Sequence, residues 1–241
     1  MSVSLEVHPA AGWADAVAAE LIGRLRAEPR LRLCLPTGET PAPLYAALVR
    51  DSPPGLWSQA TVVLLDEYLG LGPDDPAAGG PRLRRELLDA VRPVTFHAID
   101  AADPDPEAAA ERFDAIAAEG LDLALLGLGV NGHIGLNEPG SRAEDPTRVV
   151  TLEARSRTVA TDRYGAAAPP ERGITLGIAR LLTAREIWLL VTGERKARIL
   201  AEALHGPESA AVPATFVRRH PRLRVLADEP AAALLGPAAP Q

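Results

Sequence analysis

Four short polar clusters each follow an apolar run of strand length, and their side chains are of the kinds that bind anions or move protons. Pro36-Thr37-Gly38-Glu39-Thr40-Pro41 sets two hydroxyls and a glycine ahead of a helical stretch at 43–49. Backbone N–H groups and the dipole at such a helix start hold phosphate well, although an ordinary capped helix start reads the same way. Asp66-Glu67-Tyr68 places adjacent acids at a strand end, where a carboxylate either shuttles protons or simply stays solvated. The run from Gly127 to Gly140 surrounds Asn131, His133, Asn137 and Glu138 with glycines, which allow close backbone approach and bring an imidazole and a carboxylate within reach of one small ligand. A carboxylate beside a His sets its tautomer and basicity, so this cluster points to acid–base chemistry. In Thr192-Gly193-Glu194-Arg195-Lys196 the one lysine of the chain stands where a strand turns into a helix, in a protein that otherwise draws positive charge from arginine. That position suits a specific ammonium contact; a chance surface lysine is the plainer alternative.

These groups need a frame that brings them together. Apolar runs at 3–7, 31–35, 62–65, 94–99, 121–128, 187–191 and 223–226 have strand length and are bounded by Gly, Pro or charge. Several are apolar throughout, as expected for strands covered on both faces. Between them Trp13, Val17, Leu21 and Leu25 repeat every four residues, and 108–118 and 196–204 also read as helices. Alternating strand and helix predicts an α/β fold, a Rossmann-like, mostly parallel sheet covered by helices on both faces, with all four clusters opening on one sheet edge. No repeat or linker divides residues 1–241, so one domain is expected. The stretch 70–81 is rich in Gly, Pro and Asp and predicts a loop; 161–172 predicts a second irregular segment, a candidate mobile lid. After residue 230 a short helix and then fraying residues are expected.

Composition excludes several classes. With 241 residues, 47% hydrophobic content, a formal charge of −7 and a pI near 5.3, the chain suits one packed domain and lacks the basic face that nucleic acid requires. Cys34, the single cysteine, lies in an apolar run and predicts a buried thiol. The N-terminal sequence lacks the pattern of a signal peptide and no apolar run approaches membrane-spanning length, so no membrane partner and a cytoplasmic protein are expected. His8, His97, His205 and His220 are scattered without ligand spacing, so no metal is expected. No G-x-G-x-x-G follows an early strand, which argues against a dinucleotide.

The segments LPTGETP, LLDEYLGL, LLGLGVNGHIGLNEPGS, ITLGIARLL, LLVTGERKA and VLADEPAA, in this order over nearly the whole chain, resemble the glucosamine-6-phosphate deaminase family, part of a group that includes 6-phosphogluconolactonases. A lactonase would show a GHTASLF-like sequence after the glycines, whereas this chain has GHIGLNEP. The resemblance implies an aminosugar phosphate substrate and no cofactor. It implies that Asp66 moves a proton from C2 to C1 of the open sugar, and that His133, oriented by Glu138, opens the ring. Thr37, Gly38 and Thr40, with Lys196 and an arginine, would hold the phosphate; Arg163 is the best match for that arginine and Arg172 its rival. Two residues depart from the pattern. Asn131 stands where many members have an Asp in the proton relay, and is expected to hold His133 by a hydrogen bond. Glu39 stands in the phosphate loop where Gly or Ser is common, and must point away or pair with an arginine. Val150 replaces a basic residue of allosteric members, though Arg148 is present, so allosteric activation is not expected; the short C-terminus suggests a monomer or small homo-oligomer. The competing readings are a 6-phosphogluconolactonase, a galactosamine-6-phosphate isomerase, and a non-catalytic sugar-phosphate sensor.

Overall fold

The structure, a computed structural model, describes residues 3–236. The chain runs through β1 (Ser4–His8), α1 (Trp13–Ala27), β2 (Arg32–Leu35), α2 (Pro41–Asp51), β3 (Thr61–Leu64) and β4 (Asp66–Tyr68). One continuous helical stretch follows, as α3 (Gly79–Leu83), a π-helical turn (Arg84–Leu88) and α4 (Asp89–Val91). Then come β5 (Thr95–His97), α5 (Pro106–Ala118), β6 (Leu123–Gly127), β7 (Arg148–Thr151), α6 (Ala154–Asp162), β8 (Arg172–Thr175) and α7 (Ile178–Leu181). The last part holds β9 (Ile187–Val191), a 3-10 turn (Glu194–Lys196), α8 (Ala197–His205), a 3-10 stretch (Pro213–Arg219), β10 (Leu223–Asp228) and α9 (Glu229–Ala232).

All seven apolar runs became strands of one sheet, in the order β1-β10-β9-β6-β2-β3-β5, and every pairing in it is parallel. The reason is burial on both faces: every residue of β9 is buried, as are the first four of β6, and such strands need helices above and below. Trp13, Val17, Leu21 and Leu25 form the inner stripe of α1, and Trp13 Nε1 donates to Leu226 O at 3.0 Å, fixing that helix on β10. Chain order reverses at the centre of the sheet. From β2 the strands proceed outward through β3 and β5, whereas β6 returns to the other side of β2 and leads on to β9, β10 and β1. In open α/β sheets, ligands bind in the crevice beyond the strand C-termini at such a switch point. The four polar clusters follow β9, β6, β2 and β3, four neighbouring strands about that reversal.

Three features depart from the expectations. A second, antiparallel sheet, β4-β8-β7, lies beside the main one; its strands are short and polar and lack a period-2 signal. The stretch 70–81 is not loop throughout, because α3 begins at Gly79 despite its Gly-Gly-Pro start. The Glu67 carboxylate accepts from Gly79 N and Gly80 N, each at 2.6 Å, and so caps this helix from a distant strand. The segment 161–172 begins in the last turn of α6 and ends in β8, with irregular chain only between them. The short helix expected after residue 230 is α9, beginning one residue earlier; the final residues, 237–241, lie outside the described ones.

Candidate active site

At the end of β2 the chain turns through Thr37 and Gly38 into α2. Thr40 occupies the N-cap of that helix, yet its hydroxyl caps nothing; it accepts from Lys196 Nζ at 2.7 Å. The helix therefore starts with its N-cap side chain committed to the chain's one lysine. Burial lowers the Lys196 ammonium to about 8, with the Glu39 carboxylate pulling the other way. Glu39 forms an ion pair with Arg163, at the C-terminal end of α6, and its Oε2 lies 3.4 Å from Arg195 Nη2. The expectation that Glu39 points away or pairs with arginine thus resolves as pairing with two arginines. Arg172 does not join them: it starts β8, and its guanidinium lies 3.9 Å from Glu107 on α5.

Deeper in the cleft, Asp66 leaves β3 as the first residue of β4, opposite Thr175 of β8. Burial, and then the charge of Glu67, push its carboxyl up to about 7. The two adjacent acids have separate jobs. Glu67 is turned into the protein and spends its oxygens on the backbone N–H groups of Tyr68, Gly79 and Gly80, while Asp66 lines the cleft. Gly135 sits at φ +58° against Asp66; a Cβ there would lie 2.9 Å from Asp66 Oδ2. Only glycine gives the loop both this backbone and this proximity.

That loop carries His133. Its Nδ1 lies 3.5 Å from Oε2 of the buried Glu138. Burial alone would raise the Glu138 carboxyl, but His133, Ser156 and Asn131 outweigh it and hold it below the usual carboxylate range. Gly129 packs against the face of the imidazole, and a Cβ there would meet the ring at 2.5 Å. Asn131 does hold His133 by a hydrogen bond, at the backbone and not at the ring. Its Oδ1 accepts from the backbone N of His133 at 3.3 Å, and its Nδ2 donates to Glu138 Oε2 at 3.1 Å and to Glu153 Oε2 at 3.0 Å. The amide can donate twice, where an aspartate could only accept. Asn137 serves the fold: its Nδ2 donates to Ile134 O and Leu176 O, both at 2.9 Å, and its Oδ1 accepts from Arg148.

Thr40, Asp66, His133, Arg163, Arg195 and Lys196 line one cleft, with Glu138 beside His133. It combines a cation cluster, a carboxyl tuned near neutrality and a His–carboxylate pair. It can therefore hold an anion at one place and move protons at two others. Arg195, Glu153, Ser156 and Tyr164 also stand at the site, and no motif in the sequence marks them as site residues. Arg195 and Tyr164 are sequence neighbours of Lys196 and Arg163, which was the available signal; Glu153 and Ser156 on β7–α6 had none. Among the described residues no helix is long and apolar enough to cross a membrane.

Residues 7–225 match the family of glucosamine-6-phosphate isomerases and 6-phosphogluconolactonases. The chain is 39% identical to a glucosamine-6-phosphate deaminase of Rhodopirellula baltica, over 97% of this chain and 96% of that protein. It is 37% identical to one of Streptomyces coelicolor, over 95% and 91%. The fold matches that of a monomeric glucosamine-6-phosphate deaminase with a TM-score of 0.87 and 29% identity, covering 97% of this chain and all of the other. A 6-phosphogluconolactonase of Thermotoga maritima shares the fold at a TM-score of 0.76 and 22% identity, covering 94% of this chain and all of that one.

Proposed function

The chain belongs to the family of glucosamine-6-phosphate isomerases and 6-phosphogluconolactonases, and from that membership we propose how its cleft converts glucosamine 6-phosphate and water to fructose 6-phosphate and ammonia. The activity is that of a glucosamine-6-phosphate deaminase. The observation that carries the residue assignment is the Asp66 carboxyl, held near pH 7 and set apart from a second acid–base pair, His133 and Glu138. A reaction with two separate proton transfers needs two separately tuned groups.

His133, with Glu138 beside it, moves the proton of the anomeric hydroxyl to the ring oxygen. The bond from C1 to that oxygen breaks and an aldehyde remains. The aldehyde makes the C2 hydrogen acidic; Asp66 removes it as a carboxylate while the aldehyde oxygen takes up a proton given by the substrate's C2 ammonium, which leaves an enolamine with a neutral amino group. Asp66 then returns the proton to C1, so that C1 is reduced to an alcohol as C2 is oxidised to an iminium. Water adds to C2, the C–N bond breaks, and ammonia leaves the ketose. The oxidation at C2 balances the reduction at C1. Lys196, Arg163, Thr37, Gly38 and Thr40 hold the phosphate, which fixes the sugar against both proton-transfer groups.

A single chain is the working unit in this reading, as in a deaminase of similar fold that is monomeric. A cytoplasmic setting fits a phosphorylated sugar substrate. Sedimentation of the purified protein tests the first point; a stable oligomer would overturn it. The activity is tested by ammonia release coupled to fructose 6-phosphate detection, with galactosamine 6-phosphate and 6-phosphogluconolactone alongside. Equimolar ammonia and ketose from glucosamine 6-phosphate are expected. Hydrolysis of the lactone alone would sink the assignment.

A further inference from the structure

Glu39 is the one carboxylate in a loop otherwise suited to a phosphate. Its two oxygens face two guanidiniums: Oε1 pairs with Arg163 and Oε2 lies 3.4 Å from Arg195. Lys196 adds a third cation, held 2.7 Å from the hydroxyl of the adjacent Thr40. Carboxylate and phosphate oxygens make the same bidentate demand on a guanidinium, so Glu39 occupies donors that a phosphate would use. The contact is also a weak one to displace, because the Glu39, Arg163 and Arg195 side chains are 49%, 38% and 65% exposed.

We propose that Glu39 is a built-in counter-anion of the phosphate subsite, which pairs with Arg163 and Arg195 while the subsite is empty and gives them up when a phosphate enters. Arg195 is thereby a phosphate-binding residue alongside Arg163 and Lys196. The arrangement follows from charge. Three cations gathered at one pocket repel one another, and Glu39 holds two of them over the phosphate loop. Arg163 closes the last turn of α6, so the same pair ties that helix to the loop after β2. Each entering phosphate must break this pairing, and Glu39 accordingly weakens substrate binding.

The inference rests on the phosphate subsite of the reading above, and its test does not require turnover. Calorimetry with inorganic phosphate at pH 8 should show Glu39→Gln and Glu39→Ala each binding about tenfold more tightly than the parent chain, as removal of a competing charge predicts. Arg195→Gln should weaken phosphate binding more strongly in the Glu39→Gln background than in the parent, because there Arg195 has no other anion to meet. Equal or weaker binding by both Glu39 variants would overturn the proposal and make Glu39 an organiser of the arginines. Absence of phosphate binding in every protein would overturn it as well. Loss of deaminase activity with the calorimetric pattern intact would count against the catalytic reading and leave this one standing.

Discussion

The side-chain amide of Asn131 lies 3.1 Å from Glu138 Oε2, and through its second hydrogen it also reaches Glu153 Oε2 at 3.0 Å. One NH₂ group thus separates two carboxylates and joins the loop of His133 to the start of α6. An aspartate at this position, the more familiar residue by resemblance, would keep the bond from His133 N but turn its second oxygen, an acceptor, toward the Glu138 and Glu153 carboxylates in place of the amide donor. Like-charge repulsion would then draw a proton onto the cluster and take Glu138 away from His133. Asn131→Asp should therefore lower kcat/KM by about tenfold, with a larger loss at acid pH. Adding Glu153→Gln, which restores a donor, should recover most of it. Faster turnover by the Asn131→Asp single variant at every pH would show that the relay wants an acid here.

In the proposed mechanism Asp66 must be ionised to accept the C2 proton, and burial with the charge of Glu67 holds its carboxyl at about 7. As pH rises through that value the active form accumulates, so kcat/KM should climb and level off above it. Asp66→Asn should reduce turnover by about a thousandfold or more while leaving affinity for a substrate-like inhibitor within about threefold. An unchanged rate would identify a binding protein or another base.

How far these roles were legible in the sequence differs by residue. The seven sheet strands were: inner ones such as β6 and β9 because burial on both faces leaves an unbroken apolar run, and the edge strands β1 and β5, which bury no residue fully, because their partly apolar segments keep strand length. The gathering of Thr40, Asp66, His133 and Lys196 followed from the parallel sheet, since each stands just past a strand end. The helix at Gly79 was not legible, since its start depends on the Glu67 carboxylate and not on local propensity. The role of Asn131 was hidden for a related reason. Its partner Glu153 is distant in sequence and marked by no motif, so nothing local distinguishes an amide facing an imidazole from one bridging two carboxylates.

The tuning of Asp66 carries a stability cost with a definite sign. Its folded value of about 7 lies above the ordinary 3.8, so between these two the folded chain binds the proton and the unfolded chain does not. Stability from this group is fully present below the ordinary value and is lost as pH rises through the folded one. Asp66→Asn should therefore raise Tm by a few degrees at pH 8, where about 1 kcal/mol corresponds to about 2–4 °C in a domain of this size. The gain should shrink at pH 5. Thermal melts at the two pH values decide it; an equal change at both would mean that the Asp66 charge does not oppose folding.

Lys196 titrates in the opposite sense. Burial brings its ammonium down to about 8, so above that pH the pocket loses one of its three cations. KM should rise above pH 8 while kcat changes little, and Lys196→Ala should raise KM by about ten- to a hundredfold, as expected for a charge-assisted contact to phosphate. That variant should also lack the rise of KM between pH 8 and 9. A loss confined to kcat would remove Lys196 from the phosphate subsite.

Two glycines of the histidine loop make opposite predictions although both crowd a side chain of the proposed mechanism. Gly135 has φ +58°, and a Cβ there meets Asp66 Oδ2 and Thr175 Oγ1, each at 2.9 Å. Alanine at 135 strains backbone and neighbours alike and should cost fold stability. Gly129 has no such backbone demand, and the nearest atoms to a Cβ there are those of the His133 imidazole, at 2.5 Å. That ring is 29% exposed and can turn toward the cleft, so Gly129→Ala should fold normally and bind inorganic phosphate as the parent does. It should lose turnover to the extent that His133→Gln does, because the displaced ring no longer stands beside Glu138. Both variants should be slowed most with the closed sugar and least with a ring-opened analogue. Full activity in Gly129→Ala would mean that His133 works from a different rotamer; equal slowing with the open analogue would take ring opening away from His133.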